Sequence, residues 1–270
     1  MGEEDKPMKE INTLRQESVT KTEPVPRFLT SKPDEVFKHS LGTVCAGNLL
    51  DIATGEGGFI RLLTSFLKEY RSITGIDNNG YALASACSAF DQEDIRFVQM
   101  DAQRLGFAGD SFDCVNVSAS LHHLADISTV LLEMKRVLKP GGRLVVSEMH
   151  ADGVSEPQNL AVQLHHLKAE VDAALGIPHH KTFSRQELVE DFKTLDLHNI
   201  RCFDYLDMES DPMDPGTLHE IDTFIEWIME RALSTPESEA LIQKGEALRR
   251  RIYRVGIQRE PVVVIVGEKF

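Results

Sequence analysis

The chain has 270 residues, enough for one well-cored α/β domain with insertions or a domain with a small lid. At 41% hydrophobic and 27% charged it has the profile of an ordinary soluble globular protein. Its net charge of −14 repels phosphodiester backbones, which disfavours a large nucleic-acid substrate unless a local basic patch overrides the field.

Residues 1–30 are polar, broken by Pro7, Pro24 and Pro26, and read as a flexible N-terminal arm; a short helix is expected over Pro33–His39. No basic segment followed by an apolar run opens the chain, and no apolar stretch is long enough to span a bilayer. Cys45, Cys87, Cys114 and Cys202 show no ligand-like spacing, so they are read as reduced thiols in a cytoplasmic setting. No metal site is expected.

Residues 31–150 form the expected ligand-binding core. "NLLDIA" reads as a buried strand and "GGFIRLLTSFLKEY" as a helix with Ile60, Leu63, Phe66 and Leu67 on one face. "SITGID", "IRFVQMD", "SFDCVNVSAS" and "GRLVVSEM" read as four further strands, with helices at "GYALASACSAF" and "ISTVLLEMKRVLK" between them. Such alternation implies right-handed crossovers and a parallel sheet, whose ligands bind beyond the carboxyl ends of the strands.

The second half is more irregular. Residues 151–208 are expected to supply cap helices and a sixth strand, "NIRCFDYL". Leu160, Leu164, Leu167 and Val171 lie in helical register, and Ser184 with Glu187 makes a capping box. Residues 209–258 read as a helical cap insertion opened by the breaker "DPMDPG", and residues 259–270 as the last core strand.

The loop Ala53-Thr54-Gly55-Glu56-Gly57-Gly58 fits a dinucleotide-type glycine motif only if Ala53 replaces the first glycine. Asp77 ends the second strand and can accept hydrogen bonds from both ribose hydroxyls of an adenosine. Asp101, ending the third, can reach an adenine amine. Glu56 sits in the loop with no cation before Arg61, which suits a cationic sulfonium better than a pyrophosphate. A Gly-Lys-Ser/Thr sequence for a phosphate-cradling loop is missing.

Taken in order, "LLDIATGEGG", "ITGIDNN", "VQMDAQRLGFAGDSFDCVNVSASLHHL" and "EMKRVLKPGGRLVVSE" resemble the motifs of class I S-adenosylmethionine (SAM)-dependent methyltransferases, over roughly residues 45–150. The resemblance is strongest to the small-molecule branch that includes ubiquinone- and menaquinone-biosynthesis enzymes. It implies a Rossmann-like methyltransferase fold: a seven-strand, mostly parallel, doubly wound α/β sheet with an antiparallel last strand, "PVVVIVGEKF", and helical cap insertions. It also implies SAM as cosubstrate. Asp51, Ala53, Thr54, Gly55 and Gly57 would then lie around its methionine part, with Ser118 and His123 at that end. Asp77 would hold the ribose, Asn78 would sit beside the adenine, and Asp101 with Ala102 would bind the adenine edge.

Methyl transfer from a sulfonium is an in-line displacement that needs alignment and exclusion of water, with a base only if the nucleophile carries a proton. His122 and His123 after the fourth strand, and Glu148 and His150 at the end of the fifth, are the candidates at the catalytic edge, with His123, Glu148 and His150 taken as candidate catalytic residues. His165, His166, His179 and His180 are expected mostly to be solvated or packed on helices, with one of them left open as a substrate contact. Phe183, Phe224, Trp227, Ile228 and Tyr253 are candidate pocket walls, and Arg249, Arg250, Arg251 and Arg254 leave an anionic acceptor open. A homodimer is also left open. The competing readings are an NAD-linked oxidoreductase and a SAM-binding protein without catalysis.

Overall fold

Continuous aliphatic and β-branched runs make strands that bury both faces, and such runs build the centre of this protein. The computed structural model describes residues 27–30, 35, 37, 38, 47–67, 69–153 and 155–270. The expectations for residues 1–26 and Cys45 lie outside these, as does most of the helix expected over 33–39, of which residues 35, 37 and 38 are helical.

The elements in chain order are β1 (Arg27–Thr30), β2 (Asn48–Ile52), α1 (Gly58–Phe66), β3 (Ser72–Asp77), α2 (Gly80–Ala89), β4 (Ile95–Gln99) and β5 (Phe112–Ser118). A 3-10 turn, Leu121–His123, then leads to α3 (Ile127–Val137), β6 (Leu138–Met149), α4 (Glu156–Ala174), α5 (Arg185–Lys193) and β7 (His198–Tyr205). The chain ends with α6 (Pro215–Ala232), α7 (Ser238–Val255) and β8 (Val262–Glu268).

The strands form one sheet in the order β1-β7-β8-β6-β5-β2-β3-β4. β8 runs antiparallel to β6 and β7, and the other pairings are parallel. Seven of these strands are those expected from sequence, with the antiparallel last strand among them. The eighth is a correction: residues 27–30, drawn into the N-terminal arm, pair in parallel with β7, Arg27 opposite Cys202 and Thr30 opposite Tyr205. Four residues are too few to show a periodicity, so the sequence pattern passes over them.

Two apolar layers cover the faces of the sheet, one built on Leu50, Val115, Met134 and Ile265, the other on Leu49, Ile60, Val145 and Val264. A third cluster lies in the cap, where Leu160, Leu164 and Leu167 of α4 pack with Ile225 and Ile228 of α6 and Leu248 and Ile252 of α7. Side-chain caps start most of these helices: Asn79, Asp126, Ser155 and Asp214 each accept from a backbone amide, and Ser184 with Glu187 makes the expected capping box.

At the β2 tip, Ala53, Gly55 and Gly57 all adopt positive φ. At Gly57 a Cβ would meet the Phe90 ring at 2.6 Å, so only glycine fits there. Asp51 fastens this loop from beneath. It is 1% exposed; its Oδ2 accepts from the Thr54 hydroxyl at 2.6 Å, and its Oδ1 meets the Asn116 amide of β5 in a short contact. Burial is the main reason its pKa rises from 3.8 to about 7, against the lowering pull of those two hydrogen bonds. Asn116 Oδ1 is a buried acceptor with no hydrogen-bond partner among the described residues, and turning that amide offers it to a protonated Asp51.

A native pKa above the unfolded one means that the folded chain holds the extra proton. The stability tied to that proton is fully present below about pH 4 and is lost as the pH rises through about 7. Asp51→Asn removes the titration. Urea unfolding of both proteins should show wild type losing ground to the variant as the pH rises from about 4 to about 7, by at most about 1.4 kcal/mol per pH unit. A difference that stays flat across that window would mean Asp51 is ionised throughout.

Candidate donor and acceptor sites

Beyond the carboxyl ends of β2, β3 and β4 lies a groove of about 730 Å³. Ala53, Gly55, Asp77 and Asn78 line one side of it, and Asp101, Ala102 and His123 another. It opens where the chain reverses between β2 and β5, the place where parallel sheets bind ligands. Asp77 is oriented by backbone donors: Gly55 N–H gives to its Oδ2 and Asn79 N–H to its Oδ1, each at 2.8 Å. Each carboxylate oxygen keeps a lone pair for a ligand hydroxyl. Asp101, also in the lining, has its Oδ1 held by Gln103 N–H at 2.9 Å.

Other members of the expected set sit elsewhere. Asp51, Thr54 and Gly57 lie behind the loop surface, shaping it. Ser118 lines a second cavity of about 380 Å³ over the tips of β5, β6 and β8, together with Phe59, Ala119, Ser147 and Met149. Ala119 has φ of 47°, and this bend turns Ser120 onto the donor groove while Ser118 faces the other side. The bend at Ala119 was not legible in the sequence.

Glu148, at the tip of β6, is 1% exposed and fully engaged. Its Oε2 accepts from the amides of Ser120 and Leu121 at 3.0 and 2.7 Å; its Oε1 accepts from Met149 N–H and meets His122 Nδ1, both at 3.0 Å. It therefore builds the 3-10 turn that carries His122 and His123. His150 is equally buried; its Nδ1 accepts from Asp152 N–H at 3.3 Å, and its Nε2 lies 3.9 Å from Asp204.

His123 faces the donor groove on one side and a set of imidazoles on the other. Its ring centroid lies 4.2 Å from that of His122 and 4.3 Å from that of His179. Desolvation, followed by the positive charge its neighbours would carry, pushes its pKa down to about 3, and the same causes bring His165 to about 3. His165 and His179 were not expected here; α4 and the loop after it bring them in.

A third cavity, about 700 Å³, lies under the cap and shares Tyr205, Arg259 and Glu260 with the second. Its acidic lining, Asp207, Asp211, Asp214, Glu220 and Glu260, outnumbers Lys168 and Arg259. Burial raises the pKa of Glu260. Of the expected pocket walls, Phe224 lines this cavity, whereas Ile228 is in the cap core and Phe183 packs on the sheet layer. Trp227 and Tyr253 are 42% and 49% exposed. The arginine cluster is compensated: Arg249 pairs with Asp222 and Glu226, Arg250 with Glu246, and Arg251 with Glu156.

Comparison with known proteins finds the same architecture elsewhere. Residues 50–146 match the model of the family described as a methyltransferase domain. A ubiquinone/menaquinone biosynthesis C-methyltransferase, UbiE, from Hahella chejuensis is 34% identical over 122 residues, 44% of this chain and 47% of that protein. The Desulfotalea psychrophila enzyme of the same name is 38% identical over 100 residues, 37% of this chain and 40% of that protein. The chain thus spans about half the length, or less, of these curated relatives. Among solved structures, a Haloferax volcanii putative methyltransferase in complex with the Trm112 activator matches with TM-score 0.55 at 22% identity, over 87% of this chain and 88% of that one. Phosphoethanolamine N-methyltransferase 2 of Haemonchus contortus, solved with S-adenosyl-L-methionine, matches with TM-score 0.53 at 19% identity, over 87% of this chain and 51% of that one. The strand order and the groove at the tips of β2 to β4 thus accompany a match to the methyltransferase-domain family over residues 50–146, about a third of this chain.

Proposed function

We propose that the protein transfers a methyl group from SAM to a small-molecule acceptor by in-line displacement. The donor would lie in the groove, with its ribose on Asp77, Asn78 beside the adenine, and the adenine edge on Asp101 and Ala102. The acceptor would enter through the cap cavity and meet the methyl group across the Ser118–Ser120 bend. A bond forms from the acceptor atom to the methyl carbon as the carbon–sulfur bond breaks, and the sulfur leaves as a neutral thioether. The observation that carries this reading is the pair of spaces flanking one bend, with Asp77 and Asp101 each held by backbone amides on the donor side.

The cap cavity favours a neutral or cationic acceptor over an anionic one, because its lining is predominantly acidic and Arg249, Arg250 and Arg251 are already paired. Glu260, bordering both acceptor cavities, is the carboxyl best sited to anchor or deprotonate the acceptor. His123, so hard to protonate, acts here as a wall of the donor groove, and Glu148 as the positioner of that wall. Free thiols at Cys87, Cys114 and Cys202 fit a reducing, cytoplasmic compartment. No helix among the described residues is long and apolar enough to cross a membrane.

Calorimetric titration with SAM, its demethylated product and NAD tests the donor site. SAM and the product should bind and NAD should not; NAD binding alone would reverse the assignment. Asp77→Asn should weaken both adenosyl ligands about 10- to 100-fold, the worth of a hydrogen bond to a charged group. An unchanged affinity would remove Asp77 from the site.

Labelled SAM offered to metabolite fractions separated by charge tests the acceptor. Transfer is expected in the neutral or cation fraction, and transfer confined to anions would contradict the acidic-cavity reading. With that acceptor in hand, Glu260→Gln should lower kcat/KM at least about tenfold while product-nucleoside affinity stays within about twofold. An unaltered kcat/KM would exclude it from acceptor handling.

A further inference from the structure

Four imidazoles meet where the cap is seated on the core. His122 and His123 come from the 3-10 turn after β5, His165 from α4, and His179 from the loop between α4 and α5. One ring nitrogen from each of His122, His123 and His179 lies within 4.8 Å of the other two. His179 Nε2 is 3.2 Å from His165 Nε2. Two nitrogens bound at about 2.0–2.1 Å to one tetrahedral ion stand about 3.3 Å apart, so this last pair already has the separation of two ligands.

Two of the rings are oriented by carboxylates. His122 Nδ1 faces Glu148 Oε1 at 3.0 Å, and His179 Nδ1 faces Asp172 Oδ2 at 2.7 Å. Each carboxylate holds the proton on Nδ1 and leaves the Nε2 lone pair for a Lewis acid. A carboxylate behind a histidine is the usual outer partner of a metal-binding imidazole, fixing its tautomer and raising its donor strength. Lys168 and Arg231 also bind Asp172, which keeps that carboxylate ionised and balances its charge.

We propose that His122, His123 and His179 form a binding site for a divalent transition-metal ion of the Zn²⁺ class, with His165 placed to complete it and Glu148 and Asp172 orienting the rings. An all-nitrogen imidazole set selects borderline ions such as Zn²⁺, Co²⁺ and Ni²⁺ and discriminates against Mg²⁺ and Ca²⁺, which want oxygen. His123 lines the donor groove and His165 the cap cavity, so the ion would stand between the two. It would join the core turn to the cap helix and its following loop. The inference concerns ligation and does not depend on methyl transfer.

The full, tag-free chain, stripped with a chelator and dialysed, is titrated with Zn²⁺ by calorimetry and with Co²⁺ by visible absorption. One ion per chain is expected, with the intense ligand-field bands of a four-coordinate Co²⁺ centre and a melting temperature that rises with Zn²⁺. His179→Ala should weaken Zn²⁺ at least about 100-fold. Asp172→Asn should weaken it about 10- to 100-fold, as loss of an outer partner does. His166→Ala should leave it within about twofold. If His179→Ala does not melt cooperatively, His123→Gln, an exposed position, takes its place with the same expectation. Absence of stoichiometric binding by the wild-type chain overturns the site, as does unchanged affinity in the His179 or His123 variant.

Discussion

Strand-tip carboxylates that bind the protein's own backbone and side chains hold the functional edge of this sheet in shape. Asp51 is buried under the glycine loop and accepts from Thr54 and Asn116. Asp77 accepts from Gly55 and Asn79. Glu148 accepts from Ser120, Leu121 and Met149. Parallel strands end in backbone groups with no partner in the next turn; Asp77 and Glu148 satisfy amides in their own and neighbouring loops, while Asp51 ties the glycine loop to β5 through side chains. The donor groove is the space these three loops leave between them.

Much of this edge was legible from sequence because its signals are local. "NLLDIA", "SFDCVNVSAS" and "PVVVIVGEKF" are buried strands by their unbroken apolar runs, and the loop after β2 is a tight turn by its glycines. Asp77, Asn78, Asp101, Ala102 and His123 fall on the groove because residues that end parallel strands share one edge. What remained hidden depends on contacts between distant segments. The division between Ser118 and Ser120 follows from one left-handed residue, Ala119. Residues 27–30 become a strand only because β7 presents an open edge. His165 and His179 meet His122 and His123 only once α4 is folded down, and the His165-His166 and His179-His180 pairs carry no periodic signal that would bring them together.

Charge tells the same story at longer range. The sequence shows four arginines between residues 249 and 254, which read alone as a basic patch. In the folded protein three of them are matched by carboxylates from α4, α6 and α7, and the acids left over converge on the cap cavity. Net charge per segment was a poor guide because pairing happens across segments.

The backbone hydrogen bond from His180 N–H to the His122 carbonyl, 2.7 Å long, ties the loop after α4 to the turn after β5. The same loop supplies Ile177 and Pro178 to the wall of the donor groove. Any rearrangement of the cap that shifts the loop after α4 therefore also moves Ile177 and Pro178, and with them one wall of the groove at the tips of β2 to β4.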